Sequence, residues 1–147
     1  MRKLALVVLC FVLACANRDP IQDALNTMKS HEDYVKTLNL EGVMTNMADD
    51  VVVLAIPLIV GREAIEEFYA GFFANLSSVE EFSHNYLGTE IIGNIVFLHG
   101  TATFKGTNKD GTTLEMVNNF FLVLKYQPDG RIKIWRNAVA VSSQQGS

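Results

Sequence analysis

Residues 47–65 read MADDVVVLAIPLIVGREAI. Two adjacent carboxylates, Asp49 and Asp50, precede a β-branched run that stops at Pro57. Such a run, bounded by acids on one side and proline on the other, reads as a strand. Gly61 then opens REAIEEFYAGFFANL, a helix with acids in its first turn, where the helix dipole favours negative charge. The pair Asp49–Asp50 is either an acid–base couple or a corner between elements. At the entrance to a strand, turn and capping roles are the better reading.

The same reading extends in both directions. Upstream, residues 21–39 place Ile21, Leu25, Met28, Val35 and Leu38 at roughly helical spacing, and EGVMTNMA suits a second, short helix. Downstream the period changes to two. EFSHNYLGTEII, NIVFLHGTATFKG, TLEMVNNFFLVLKY and RIKIWRNAVAV read as four strands, joined by IGN, TNKDG and QPDG, all turn chemistry. Helices followed by an antiparallel meander predict an α+β domain of about three helices on a curved sheet of five to six strands. A sheet curled over helices encloses a cone-shaped cavity, open at one end.

The chain has 147 residues, 49% of them hydrophobic and 19% charged, a globular composition large enough for one core. Residues 1–16 stand apart. Arg2 and Lys3 precede the apolar LALVVLCFVL, which is too short to span a bilayer and reads as a secretory signal. Ala14-Cys15-Ala16 offers a cleavage site before Asn17, and VLAC also reads as a bacterial lipobox with Cys15 as the lipidated residue. The expected location is the periplasm, or the bacterial envelope through a Cys15 lipid, with secretion as the alternative. Either exit removes or blocks both cysteines, so no disulfide and no thiol nucleophile is expected. The expected organisation is a signal over 1–16, a domain over 17–141 and a disordered polar tail over 142–147.

Without Arg2 and Lys3, ten basic residues face sixteen acidic ones, a formal charge of −6. No basic cluster occurs, so nucleic acid is not an expected partner, nor a membrane except through a Cys15 lipid. His31, His84 and His99 share no metal-ligand spacing, and neither metal nor cofactor is expected.

Parity sorts the strands. Leu114, Met116, Asn118, Phe120, Leu122 and Leu124 share one face, apolar apart from Asn118. A buried amide needs a partner, either in a neighbouring strand or in a ligand. The other face alternates Val117, Phe121 and Val123 with Glu115, Asn119 and Lys125. That mixture is too apolar for a solvated face, and it predicts a homodimer. His99 falls on a polar face. His84 alternates with Phe82 and Tyr86, which places it inside the cone or at its mouth. His31, beside Glu32 and Asp33, reads as solvated.

Three features together resemble the nuclear transport factor 2-like superfamily, in its SnoaL-like and ketosteroid-isomerase-like branch. They are YVKTLNLEGVMTNMADDVVV, GREAIEEFYAGFF and DGRIKIWR, spread over about residues 21–140. The resemblance implies a cystatin-like α+β barrel. It also implies that Tyr34 takes the place of an oxyanion-binding tyrosine, and that Asn118 or Asn119 takes the place of a protonated aspartic acid. Parity favours Asn118. The general base of these isomerases would fall on Ala55 or Ile56, where no base stands. The expected function is a small-molecule-binding domain with an apolar conical pocket and no isomerase base. Its ligand would be small and hydrophobic, held by Tyr34, Asn118, Trp135 and Phe72. The alternative is an isomerase, dehydratase or polyketide-cyclase-like enzyme using His84 as base with Tyr34 and Asn118. A third reading is a dimerisation domain alone. The position of His84 separates binder from enzyme.

Overall fold

The computed structural model describes residues 18–55 and 57–146, with side chains through residue 140. The leader, including Cys15, lies outside the described residues. Among the described residues, three helices precede and interrupt the sheet: α1 (Pro20–Lys36), α2 (Leu40–Thr45) and α3 (Arg62–Asn75). The strands are β1 (Met47–Leu54), β2 (Ile59–Val60), β3 (Leu76–Ile92), β4 (Ile95–Asn108), β5 (Thr113–Tyr126) and β6 (Ile132–Gly146). They form one curved, unclosed sheet in the order β2-β1-β6-β5-β4-β3. All neighbours pair antiparallel except β1 and β6. The cone is therefore a bent sheet with two free edges, not a closed barrel.

Local sequence explains the helix ends. Asp19 caps α1 by accepting from the amides of Ile21 and Gln22, and Pro20 occupies the first turn, where its missing N–H costs nothing. Asn39 caps α2 through the amide of Gly42. Ala24, Met28, His31 and Val35 bury one stripe of α1. That stripe contains His31, which is only 4% exposed, so its expected solvated position is corrected. From α3, Ile65 and Phe73 enter the same core, with Leu98, Leu122, Leu124 and Ile134 from the sheet. Arg62 ties the start of α3 to the carbonyls of Met44 and Met47.

Two boundaries differ from expectation. Asp49 and Asp50 do not cap a corner. β1 begins at Met47, and both acids lie exposed within it, beside the register irregularity between Met47 and Val52. Residues 142–146, expected as a disordered tail, continue β6 in backbone register with β5, from Val117↔Ser143 to Leu114↔Gly146. The long partner strand supplies ladder hydrogen bonds that polar residues satisfy as well as apolar ones do.

Candidate functional site

The concave face of the sheet and the helices enclose a cavity of about 200 Å³. Its wall is mainly apolar: Met28, Ile65, Phe82, Phe120, Leu122 and Val139 are among the lining residues. The polar side chains in the wall are His31, Tyr69, His84, Asn118 and Asn137.

Register places two of these. His84 on β3 pairs with Ala102 on β4, which pairs with Asn118 on β5. The outer two lie about 10 Å apart at the Cα positions, two strand spacings. The small side chain between them leaves room for a ligand. His84 is enclosed by aromatic rings. Phe82 and Phe120 meet it edge to face at 5.0 Å each, and Tyr86 stacks on it at 6.0 Å.

Glu32, on α1, closes the arrangement. Its Oε1 accepts from the main-chain N–H of His84 at 3.0 Å and contacts the ring Nδ1 at 2.8 Å. β3 is an edge strand, so that main-chain amide has no further strand to pair with, and the carboxylate takes it. A carboxylate on Nδ1 holds the proton there and leaves Nε2 as the lone-pair nitrogen. Nε2 has no partner among the described residues. An imidazole oriented in this way is suited to accept a proton from a bound molecule.

A second pair lines the same cavity. His31 Nε2 lies 3.3 Å from the Tyr69 hydroxyl, with the rings edge to face. Burial, and secondarily the neighbouring His84, lowers the His31 pKa to about 3, so the ring is neutral near pH 7. Burial raises the Tyr69 pKa, so its hydroxyl keeps its proton. Three buried side-chain polar atoms lack a hydrogen-bond partner among the described residues: His31 Nδ1, Asn118 Oδ1 and Asn137 Oδ1. All three residues line this cavity.

Asn118 and His84 lie where parity put them. Tyr34, Phe72 and Trp135 do not line the cavity. The Tyr34 ring packs over Gly42 of α2, so close that no Cβ would fit there. Phe72 stacks with Phe68 and contacts Phe104, to one side. Trp135 sits on the opposite sheet face from Ile134. Its indole N–H donates to Asp50 Oδ2 at 2.8 Å, and Lys125 and Arg136 lie over its ring. Asp50 therefore fastens the outer sheet rather than the site. Of Ala55 and Ile56, on which the resemblance puts the isomerases' base, Ala55 lines the cavity and carries no acid, and Ile56 lies outside the described residues. His99 is exposed, with its ring against Gly88.

Sequence reasoning missed four lining or supporting residues. Glu32 and His31 follow from the Ala24–Met28–His31–Val35 stripe, once that face rather than its neighbour is chosen. Tyr69 lies midway between Ile65 and Phe73 on α3. Asn137 was hidden by a bulge: Val123 pairs with Arg136 but Leu124 pairs with Ile134, so Trp135 is the extra residue. That extra residue turns Asn137 inward, against simple alternation.

No family model and no curated protein matches the sequence. Solved structures do. A protein from Novosphingobium aromaticivorans, provisionally assigned as a scytalone dehydratase, superposes with a TM-score of 0.76 at 13% identity, over 85% of either chain. A ketosteroid isomerase-like protein from Erwinia carotovora atroseptica gives 0.74 at 14% identity, over 86% of this chain and 99% of that one. A nuclear transport factor 2-like protein from Cytophaga hutchinsonii gives 0.69 at 16%, over 84% and 99%. The chain has the nuclear transport factor 2-like fold. At these identities the likeness establishes architecture alone, because one fold hosts many unrelated chemistries.

Proposed function

We propose that this domain is an enzyme that moves a proton on a small, largely apolar molecule bearing a carbonyl or hydroxyl group. His84 is the general base and Glu32 its positioning residue. The observation that carries this reading is the Glu32–His84 contact on the wall of an apolar cavity. A cavity of about 150 Å³ holds benzene, so one of about 200 Å³ suits a single substituted ring. Neighbours described as isomerase-like and as a dehydratase support the same class of chemistry.

The step is simple. Nε2 of His84 takes a proton from a carbon beside a carbonyl, the C–H electron pair becomes the C=C bond, and the carbonyl π pair moves onto oxygen to give an enolate. Returning the proton to another carbon isomerises the substrate. Loss of a β-hydroxyl as water dehydrates it. Deuterium uptake from D2O into small cyclic ketones, followed by NMR, tests the reading without knowledge of the substrate. Wild-type protein should accelerate uptake, and His84→Gln should abolish most of the gain, about 10²–10⁴-fold for a lost general base. No acceleration by wild type contradicts the enzyme.

One observation favours a second reading. Ala55, one of the two positions on which the resemblance puts the isomerases' base, lines the cavity without an acid, and a carrier of small apolar molecules would show saturable binding without exchange. Export, read from residues 1–16, remains part of the proposal, and mass spectrometry of the mature N-terminus tests it. So does homodimerisation through the outer face, where Phe97 and Phe121 lie 5.9 Å apart and Phe121 is 45% exposed. A monomer by sedimentation at micromolar concentration argues against that dimer.

A further inference from the structure

We infer that His31 and Tyr69 form a neutral hydrogen-bond donor pair that binds an acceptor oxygen of the ligand, on the helical wall of the cavity. This rests on the proposed function for its catalytic meaning, but not for its geometry. α1 delivers Glu32 to the His84 ring and, one residue earlier, delivers His31 to Tyr69 of α3. Both His31 and Tyr69 line the cavity.

Donor counting leads to the subsite. If the Tyr69 hydroxyl donates to His31 Nε2, the proton of the neutral ring is on Nδ1, and that N–H is unspent. If instead Nε2–H donates to the Tyr69 oxygen, the phenolic O–H is unspent. In either tautomer the pair holds one donor with no acceptor among the described residues. A buried donor left unmade costs about 1–3 kcal/mol. Nδ1 is indeed buried without a partner among the described residues, at a residue that is 4% exposed. The two other unpartnered buried polar atoms, on Asn118 and Asn137, belong to the same cavity wall. Unsatisfied polar groups gathered on residues of one cavity wall are the partners that a bound ligand or water there would satisfy.

The chemical class follows. A neutral donor in an apolar wall selects a carbonyl, phenol or phenolate oxygen over a methyl group of the same size. Charge that builds on that oxygen as His84 removes a proton would be held by this donor without proton transfer from it, as Tyr69 retains its own proton. His31 and Tyr69 thus bind the oxygen, and His84 takes the hydrogen.

The probes are 4-nitrophenol and 4-nitrotoluene, in which a hydroxyl replaces a methyl group of similar size while the nitro group is common to both. Their binding to wild-type protein, Tyr69→Phe and His31→Leu is measured by calorimetry. Wild type should prefer the phenol. Tyr69→Phe should weaken the phenol about tenfold, the scale of one hydrogen bond, and leave the toluene unchanged. Equal loss for both probes would indicate structural damage and overturn the inference. So would an unchanged phenol affinity in both variants, or no saturable binding by wild type. If the phenol preference holds while ketone exchange is absent, the proposed function fails and the subsite stands. If exchange is present and the preference is absent, the subsite alone fails.

Discussion

Glu32 Oε1 meets His84 twice, at the main-chain N–H at 3.0 Å and at ring Nδ1 at 2.8 Å. One carboxylate oxygen thereby fixes both the backbone and the ring of a single residue. Removing it strands two donors in a site where the His84 side chain is 6% exposed. Glu32→Ala should therefore destabilise the domain by about 1–3 kcal/mol. Glu32→Gln retains an acceptor and should cost less, yet both should slow ketone exchange. Thermal unfolding of the two variants checks the order, and equal melting temperatures would contradict it.

His31 makes stability depend on pH. Its pKa falls from 6.5 to about 3 on folding, through burial first and His84 second. Between those values the unfolded chain binds a proton that the folded chain does not, so stability drops as pH falls through this window. The loss at pH 5 is about 2 kcal/mol. Exposed carboxylates titrate in the same direction, but they are common to wild type and variant. Chemical denaturation of His31→Leu between pH 7 and pH 4 should show a flatter acid limb than wild type. Parallel limbs would rule out a buried neutral His31.

Asn118 lines the cavity, and its buried Oδ1 has no partner among the described residues. Among the described residues, none is recorded bonding to that oxygen, so none would lose it if Asn118 were replaced. Asn118→Leu should leave the melting temperature unchanged or raise it, because an apolar side chain removes a desolvated amide. It should weaken 4-nitrophenol binding if the amide serves the ligand. A fall in melting temperature with unchanged binding would make Asn118 structural.

Tyr34 is explained by packing. Its ring covers Gly42, where an added Cβ would overlap the ring carbons. Gly42→Ala should destabilise by about 1–3 kcal/mol through overpacking, despite the better helix propensity of alanine. Tyr34→Phe should be nearly neutral in stability and in phenol binding. A strong binding defect in Tyr34→Phe would restore Tyr34 to the site.

The elements were legible because each has its own period and punctuation: Gly61 at a helix start, Asp-Gly turns between strands, and strict alternation along β5. Asn118 and His84 were legible for the same reason, since their strands alternate cleanly through those positions. The Tyr34 assignment failed because it was carried by resemblance, and a one-residue motif does not show which neighbour the ring covers. Trp135 was misplaced and Asn137 overlooked for one cause: a single bulge exchanges inside and outside and leaves no mark in composition. His31 was misread because its acidic neighbours suggested solvent, whereas one turn of helix separates an exposed face from a buried one. The Glu32–His84 contact joins positions 52 residues apart, and no local pattern encodes such a pairing.

The central claim is that Glu32 sets His84 with an open Nε2 toward the cavity. Nitrogen-15 NMR of the histidine rings, assigned with His84→Gln and recorded where His84 is neutral, measures this directly. The proton should lie on Nδ1, Nε2 should show a lone-pair shift, and that shift should move when 4-nitrophenol fills the cavity. A proton on Nε2, or a shift indifferent to the probe, would contradict it.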